Sequence, residues 1–166
     1  IIGIIDSTYD GMTIGSNGVK VYENIPSASI SGFEVKVHTT LFKTIRFQNQ
    51  TQFTYGVDHE SNPLQMIPPL QNSSKLGYSY KQIKFQLEAV VAAMQNNPRL
   101  DAGETTTPSY GIVNISGHAP IKLLQQPTSI SIAVNNLFDS NYWDHLDWNS
   151  VPRPGRSFIV NLRMRF

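Results

Sequence analysis

The 166-residue sequence contains no cysteine, so neither a disulfide framework nor a thiolate metal site is open to it. Long hydrophobic runs are also missing. The best candidate, "LEAVVAAM", is interrupted by Glu88 and gives way to Gln95, well short of the roughly 20 consecutive apolar residues a membrane-spanning helix needs. Charge is sparse, at 15% of residues with a net of +1, and no lysine or arginine has a basic neighbour. A nucleic-acid-binding surface, which needs clustered cations, is therefore excluded. A basic leader followed by an apolar stretch and a small-residue cleavage site is absent too. The sequence opens abruptly inside "IIGIID", and the expectation is a portion of a longer polypeptide.

What is present is alternation. Aliphatic and aromatic residues make up 40% of the chain and stand mostly singly among Asn, Gln, Ser and Thr. They recur at period two in stretches of roughly 9 to 12 residues, separated by Gly, Pro, Asn, Asp and Ser clusters, which is an all-β layout of about eight antiparallel strands. The stretches are 1–9, 28–40, 46–57, 70–80, 85–95, 110–119, 129–138 and the C-terminus. In the second, Phe33, Val35, Val37 and Thr39 oppose Glu34, Lys36 and His38; in the last, Phe158, Val160, Leu162, Met164 and Phe166 oppose Ser157, Ile159, Asn161, Arg163 and Arg165. The fifth contains "LEAVVAAM", which by propensity alone favours a helix.

Connections of two lengths alternate. Residues 10–27, 58–69, 96–109 and 139–152 are long, whereas 41–45, 81–84 and 122–128 are short. Charge sorts with them. Asp10, Glu23, Asp58, Glu60, Asp101, Glu104, Asp139, Asp144 and Asp147 lie in or beside the long connections, and Lys43, Arg46, Lys81, Lys84, Lys122, Arg163 and Arg165 near the short ones or the end. Short turns at one end and long loops at the other characterise outer-membrane barrels. A soluble β-sandwich alternates equally well, but two features favour the barrel. The second face of the strands is rich in Gln, Asn, Ser and Thr, as suits a hydrated lumen. Aromatic residues gather near strand ends, where interfacial girdles sit: Tyr9, Phe42, Tyr55, Tyr78, Tyr80, Tyr110, Phe138, Tyr142, Trp143 and Trp148.

"NLFDSNY" (Asn136, Leu137, Phe138, Asp139, Tyr142), then "PGR" (Pro154, Gly155, Arg156) and a terminal Phe166, resemble the end of TonB-dependent outer-membrane receptors. Upstream, Asn24, Ala28, Ile30, Gly32 and Glu34 of "YENIPSASISGFEV" are similar to that family's "N..a.i.G.E" strand, and "PLQMIPPLQNSSKLGYSY" resembles the stretch entering the next descending strand. The resemblance implies a transmembrane antiparallel β-barrel in the cell outer membrane. Residues 1–166 would be about eight C-terminal strands of a plugged barrel of about 22 strands, the plug and earlier strands lying outside this sequence. A small self-contained barrel and a soluble β-sandwich binding domain are the alternatives.

The resemblance further implies a receptor that binds and imports a scarce ligand, such as a ferric siderophore, haem, or a metal ion or complex, energised by TonB and its inner-membrane motor through the N-terminal region. Other implied partners are outer-membrane lipid, lipopolysaccharide and the barrel-assembly machinery, which would read the closing strand Phe158, Val160, Leu162, Met164 and Phe166. No catalytic residue is expected, because no nucleophile and base stand in a recognisable spacing, and no cofactor is expected. For the ligand, "VDHES" (Asp58, His59, Glu60) and "WDHLDW" (Asp144, His145, Asp147) supply imidazole and carboxylate groups suited to zinc or copper on an acidic outer rim that concentrates cations. The same groups serve equally as ordinary loop side chains or as binders of the divalent cations that bridge lipopolysaccharide. His38 and His118 stand on strands with lumen-side neighbours, either lining the transport path or as wetted wall residues hydrogen-bonded to polar neighbours.

Overall fold

The computed structural model describes residues 2–5, 8–9, 12–13, 19–22, 25–147 and 150–164. Alternating residues fall on opposite faces of a strand, so the period-two stretches become strands with one apolar and one polar face. Seven of them form one antiparallel meander: β5 (Ala28–Leu41), β6 (Ile45–Asp58), β7 (Gln71–Tyr80), β8 (Ile83–Ala92), β9 (Tyr110–Leu123), β10 (Gln126–Asn135) and β11 (Ser157–Met164), each beside its sequence neighbour. The first stretch behaves differently. It breaks into β1 (Ile2–Ile5) and β2 (Thr8–Tyr9), which pair with β4 (Val19–Tyr22) and β3 (Met12–Thr13) inside the expected long connection 10–27.

The helix-favouring "LEAVVAAM" segment lies largely in β8, which is hydrogen-bonded on both sides, to β7 from Gln71↔Ala92 to Tyr80↔Ile83 and to β9 from Lys84↔His118 to Ala92↔Tyr110. Two ladders outweigh the few tenths of a kcal/mol per residue by which propensity favours a helix. Tight turns join strands at one end. Phe42 and Lys43 (φ 51° and 60°) and Leu124 and Gln125 (φ 49° and 64°) all take left-handed backbone, the conformation whose twist matches two antiparallel strands.

The register aligns like with like. Phe47, Leu76, Leu87, Ile115, Val134 and Phe158 form one row across six strands, each directly opposite the next. One residue along, Gln48, Lys75, Glu88 and Asn114 form the matching row on the other face. On β11, Phe158, Val160, Leu162 and Met164 share the apolar face, opposite Val134, Ile132, Ile130 and Thr128, while Arg163 stands opposite Ser129 on the polar face. Phe166 and Arg165 lie outside the described residues.

The location of the core identifies the solvent of the apolar face. Among the described residues, the buried hydrophobic side chains are Leu64, Ala92 and Ala102, all at the long-loop end. The apolar rows are open: Phe85 is 58% exposed, Val160 62% and Phe158 73%. A soluble sandwich would bury these faces against a second sheet, whereas a barrel presents them to lipid.

Within that apolar face lies a polar ring. Asn49 Nδ2 donates to Ser74 Oγ (2.8 Å), Ser74 Oγ to Asn72 Oδ1 (3.0 Å), Asn72 Nδ2 to Thr51 Oγ1 (2.7 Å), and Thr51 Oγ1 to Asn49 Oδ1 (3.2 Å). Each side chain donates once and accepts once, so both hydroxyls, both amide oxygens and one N–H of each amide find partners where lipid offers none. Opening it with Asn72→Ala is expected to cost about 1–3 kcal/mol in urea unfolding of the complete receptor in vesicles. Replacing all members with apolar residues of similar size is expected to be nearly neutral, because no partner is then left stranded.

Candidate functional site

Residues 59–70, 93–109 and 136–156 connect the strands at the long-loop end, and here the charged motifs meet. Asp58 closes β6 with a buried carboxylate. It accepts hydrogen bonds from the backbone N–H of Glu60 (2.9 Å) and Asn62 (2.9 Å), the Asn62 side chain (3.2 Å), and Arg99 Nη1 (2.7 Å). Burial by itself would raise the Asp58 pKa; the Asn62 amide and side chain, Arg99 and Glu60 outweigh it and hold the carboxyl down at about 2. Arg99 is raised above its ordinary value because its bonds to Asp58 and Asp101 outweigh the opposing effect of burial.

Arg99 carries the connection onward. Its N–H donates to Glu104 Oε2 (2.9 Å), and Glu104 Oε1 accepts the N–H of Met66 (2.6 Å), so one buried carboxylate staples two loops. A single 3₁₀ turn, Leu100–Ala102, brings Arg99 and Glu104 together and closes on Gly103 at φ 81°. His145 then approaches from the third loop: its Nδ1 is 2.9 Å from Thr107 Oγ1, and its Nε2 is 4.0 Å from Glu104 Oε1. His145 Nε2 and Trp143 Nε1 are buried without a hydrogen-bond partner among the described residues. A cavity of about 260 Å³ beside His145 is lined by Met66, Glu104, Thr107, His145, Asp147 and Ser150, among others.

The two sequence motifs are therefore brought into one layer, but their side chains do not converge on a common point. His59 and Glu60 project from the surface, 3.7 Å apart. Asp144 Oδ1 accepts the N–H of Leu146 (3.4 Å); burial first, then the nearby Asp144 charge, pushes Tyr110 up to about 12. Asp147 pairs with Arg153, Nη2 to Oδ1 at 2.7 Å. Among the described residues no group of three or more His, Asp or Glu is arranged to hold a metal ion. Tyr110 and Tyr142, expected at a girdle, stack on each other at 4.5 Å within the loop layer, whereas Tyr55, Tyr78 and Tyr80 are exposed on the apolar face. Trp148 lies outside the described residues.

Arg99, Glu104 and Thr107 are the residues that sequence reasoning did not single out. Their signal is the short "PRLDAGE" segment, whose Gly103 permits the turn that folds an arginine back toward a glutamate. The "NLFD" and "PGR" motifs also gain a physical role. Asn136, 3% exposed and at φ 50°, accepts Ser140 N–H (2.9 Å), donates to Ser140 O (2.8 Å), and offers its own N–H to Asn114 Oδ1 (2.9 Å). Asp139 Oδ1 accepts Arg156 N–H (2.7 Å) and would stand 2.7 Å from a Cβ at Gly155, so a larger residue there would push the carboxylate off this contact.

A carboxylate depressed in the folded state stabilises the fold above its ordinary pKa, and that contribution fades as pH falls through the depressed value. The Asp58 clamp is accordingly expected to hold the loop layer unchanged from pH 7 to about 5, and to release it between about pH 4 and 2. Amide exchange of residues 60–62, 64 and 99–104 in the detergent-solubilised receptor checks this. In Asp58→Asn the same amides should exchange faster already at pH 7.

An amphipathic antiparallel sheet with lipid-compatible apolar rows, tight turns at one end and an interlocked loop layer at the other defines the wall of an outer-membrane β-barrel. The model of the TonB-dependent receptor-like β-barrel family matches residues 3–137, and the chain belongs to that family. Comparison with curated protein sequences found no match. Among solved structures, the copper transporter OprC is similar at a TM-score of 0.79 and 21% identity, covering 97% of this chain and 26% of that one. P. aeruginosa FpvA, bound to a heterologous pyoverdine with iron, is similar at a TM-score of 0.63 and 18% identity, covering 82% and 19%. The chain thus spans about a quarter or less of the length of these structures.

Proposed function

We propose that this chain is the C-terminal portion of a receptor that captures a scarce ligand at the cell surface and imports it with energy delivered by TonB. The ligand class is a ferric siderophore, haem, or a metal ion or complex. In this reading a plug and earlier strands complete a barrel of about 22 strands, β11 closes it, and the end of the chain is read by the barrel-assembly machinery. The observation that carries the proposal is the loop layer in which Asp58, Arg99, Glu104 and His145 tie three long connections together at one end of a lipid-facing sheet. A rigid rim of this kind reduces the ordering cost of binding.

Of the candidate ligand-binding residues, His59 and Glu60 have groups free to meet a ligand directly, and Asp58, Asp144, His145 and Asp147 hold the loops that present them. The related copper transporter and ferric pyoverdine receptor make metal-bearing ligands the first to test. The test is uptake of radiolabelled copper and of ferric siderophores by cells carrying the complete receptor, with and without TonB. Uptake that depends on both supports the proposal; uptake that persists without TonB overturns it.

A further inference from the structure

The lipid-facing side of the sheet is not evenly covered by side chains. Phe85 on β8 stands opposite Gly117 on β9, and Gly117 opposite Ile132 on β10; next on the same face of β9, Ala119 stands opposite Ile130. Side chains rise roughly perpendicular to a sheet, so a glycine and an alanine two residues apart leave a furrow along β9 between taller neighbours. The Phe85 ring forms one wall, with ring carbons 3.5 Å from where a Gly117 Cβ would stand. The furrow has a volume of about 620 Å³, within the roughly 300–1,000 Å³ of ligand-holding clefts. Toward the long-loop end the row Leu87, Ile115 and Val134 closes it. Toward the short turns it runs out along β9, past the last β8–β9 pair, Lys84↔His118. Its flanks are β7 and β8 on one side and β10 on the other, and it opens away from the lumen, beyond the reach of anything the barrel contains.

The open end is marked by charge. The β7–β8 turn comes up to β9 here, where Gln82 lines a hollow together with Pro120 and Ile121. Its other residue, Lys81, holds Nζ over the Tyr80 ring, 5.4 Å from the centroid, and Tyr80 is an exposed residue of the lipid-facing side, opposite Ile83. The ammonium is thereby turned outward, to the level of the lipid headgroups. It makes no ion pair with any described residue, and contact with a ring face leaves its N–H donors for an anion. A tyrosine and a lysine at the end of an apolar surface are the side chains that settle at a membrane interface. The furrow suits an acyl chain, and the lysine suits the phosphodiester to which that chain is joined.

We propose that the furrow over Gly117 and Ala119 is a binding site for an anionic glycerophospholipid of the periplasmic leaflet, one acyl chain lying along β9 and the phosphate meeting Lys81. The leaflet follows from the open end, which points to the short turns on the periplasmic side. The site requires only the lipid-facing wall and is independent of the cargo.

The complete receptor is exchanged into detergent micelles doped with equal amounts of phosphatidylglycerol and phosphatidylcholine, and retained lipid is read by native mass spectrometry. The comparison is between the parent, Gly117→Leu/Ala119→Leu, Lys81→Gln and Lys43→Gln. The contact of a Gly117 Cβ with Phe85 is an ordinary one, so the double variant fills the furrow without parting the strands. Lys43 lies in the β5–β6 turn with left-handed backbone like Lys81, and controls for the loss of a turn lysine. The parent is expected to retain one phosphatidylglycerol in preference to phosphatidylcholine by roughly fivefold, the effect of one lysine at an anionic surface. The double variant should lose the retained lipid, Lys81→Gln should lose only the preference, and Lys43→Gln should match the parent. Heat-modifiable mobility confirms that each variant has assembled. Absence of retained lipid in the parent, equal retention by every variant, or a preference that survives in Lys81→Gln overturns the proposal. A parent dimer that the double variant abolishes also overturns it, and assigns the furrow to a second copy of the chain.

Discussion

Replacing Gly32 with valine is expected to abolish most assembly of the receptor. Gly32 faces the lumen opposite Thr54, and a Cβ built on it falls on the backbone carbonyl oxygen of Phe53, well inside van der Waals contact, with Thr54 Cα at 3.2 Å. The obstructing atoms belong to the partner strand, so no side chain can turn away to make room. The strands must separate, and the ladder from Ala28↔Asp58 to Leu41↔Ile45 is the sole pairing of β5 among the described residues. Even Gly32→Ala is expected to cost about 3 kcal/mol, the upper part of the range for forced overpacking. Gly77→Ala makes the control: its Cβ would find its nearest neighbour at 3.8 Å, an ordinary contact, and its effect is expected to stay within about 0.5 kcal/mol. Heat-modifiable mobility on gels reports assembly, and urea unfolding in vesicles reports stability.

Asn136→Ala is expected to unlock the loop that follows β10, at a cost of about 3 kcal/mol. Two contributions add. Removing the amide strands Ser140 N–H and Ser140 O in a buried setting, at roughly 1 kcal/mol or more each. Left-handed backbone at φ 50° suits asparagine and glycine, and costs other residues about 1–2 kcal/mol. Asn136→Gly separates the two effects, since it relieves the backbone cost without restoring the hydrogen bonds; it should recover about 1 kcal/mol relative to alanine. If alanine and glycine prove equally harmful, the backbone contribution is absent and the hydrogen bonds carry the whole effect. Both variants should speed proteolysis within 137–156 and leave the β8–β9 ladder protected from exchange.

Strand positions were legible in the sequence because a sheet with one wet and one lipid-facing side writes its geometry as strict alternation. In β11 every second residue from Phe158 to Met164 is apolar, and the register Ile130↔Leu162 and Ile132↔Val160 places each beside an apolar neighbour. A slip of one residue would turn Arg163 toward lipid, so the pattern tolerates one pairing. Alternation is less informative where the partner is not the next stretch. Residues 1–22 read as one strand followed by a loop, whereas their described parts are two short antiparallel pairs.

The loop layer was legible in content but not in connection. The motifs around Asp58 and His145 stood out as chemically rich, and the tertiary structure did bring them to one end of the sheet. Their individual partners depended on Arg99 and Glu104, which are charged residues like any others until a 3₁₀ turn and a φ of 81° at Gly103 fold them together. Hydrogen bonds between segments some 40 residues apart, such as Arg99 to Asp58 and Glu104 to Met66, leave no periodic trace in a sequence.

By itself, then, the sequence determined the all-β class, the face each strand residue takes and the segregation of long loops from tight turns, because these follow from local periodicity and turn chemistry. Only the tertiary structure decided which loop charges neutralise one another and where a glycine is obligatory. Those outcomes depend on distances across strands and loops, set by register and packing rather than by the identity of any one residue.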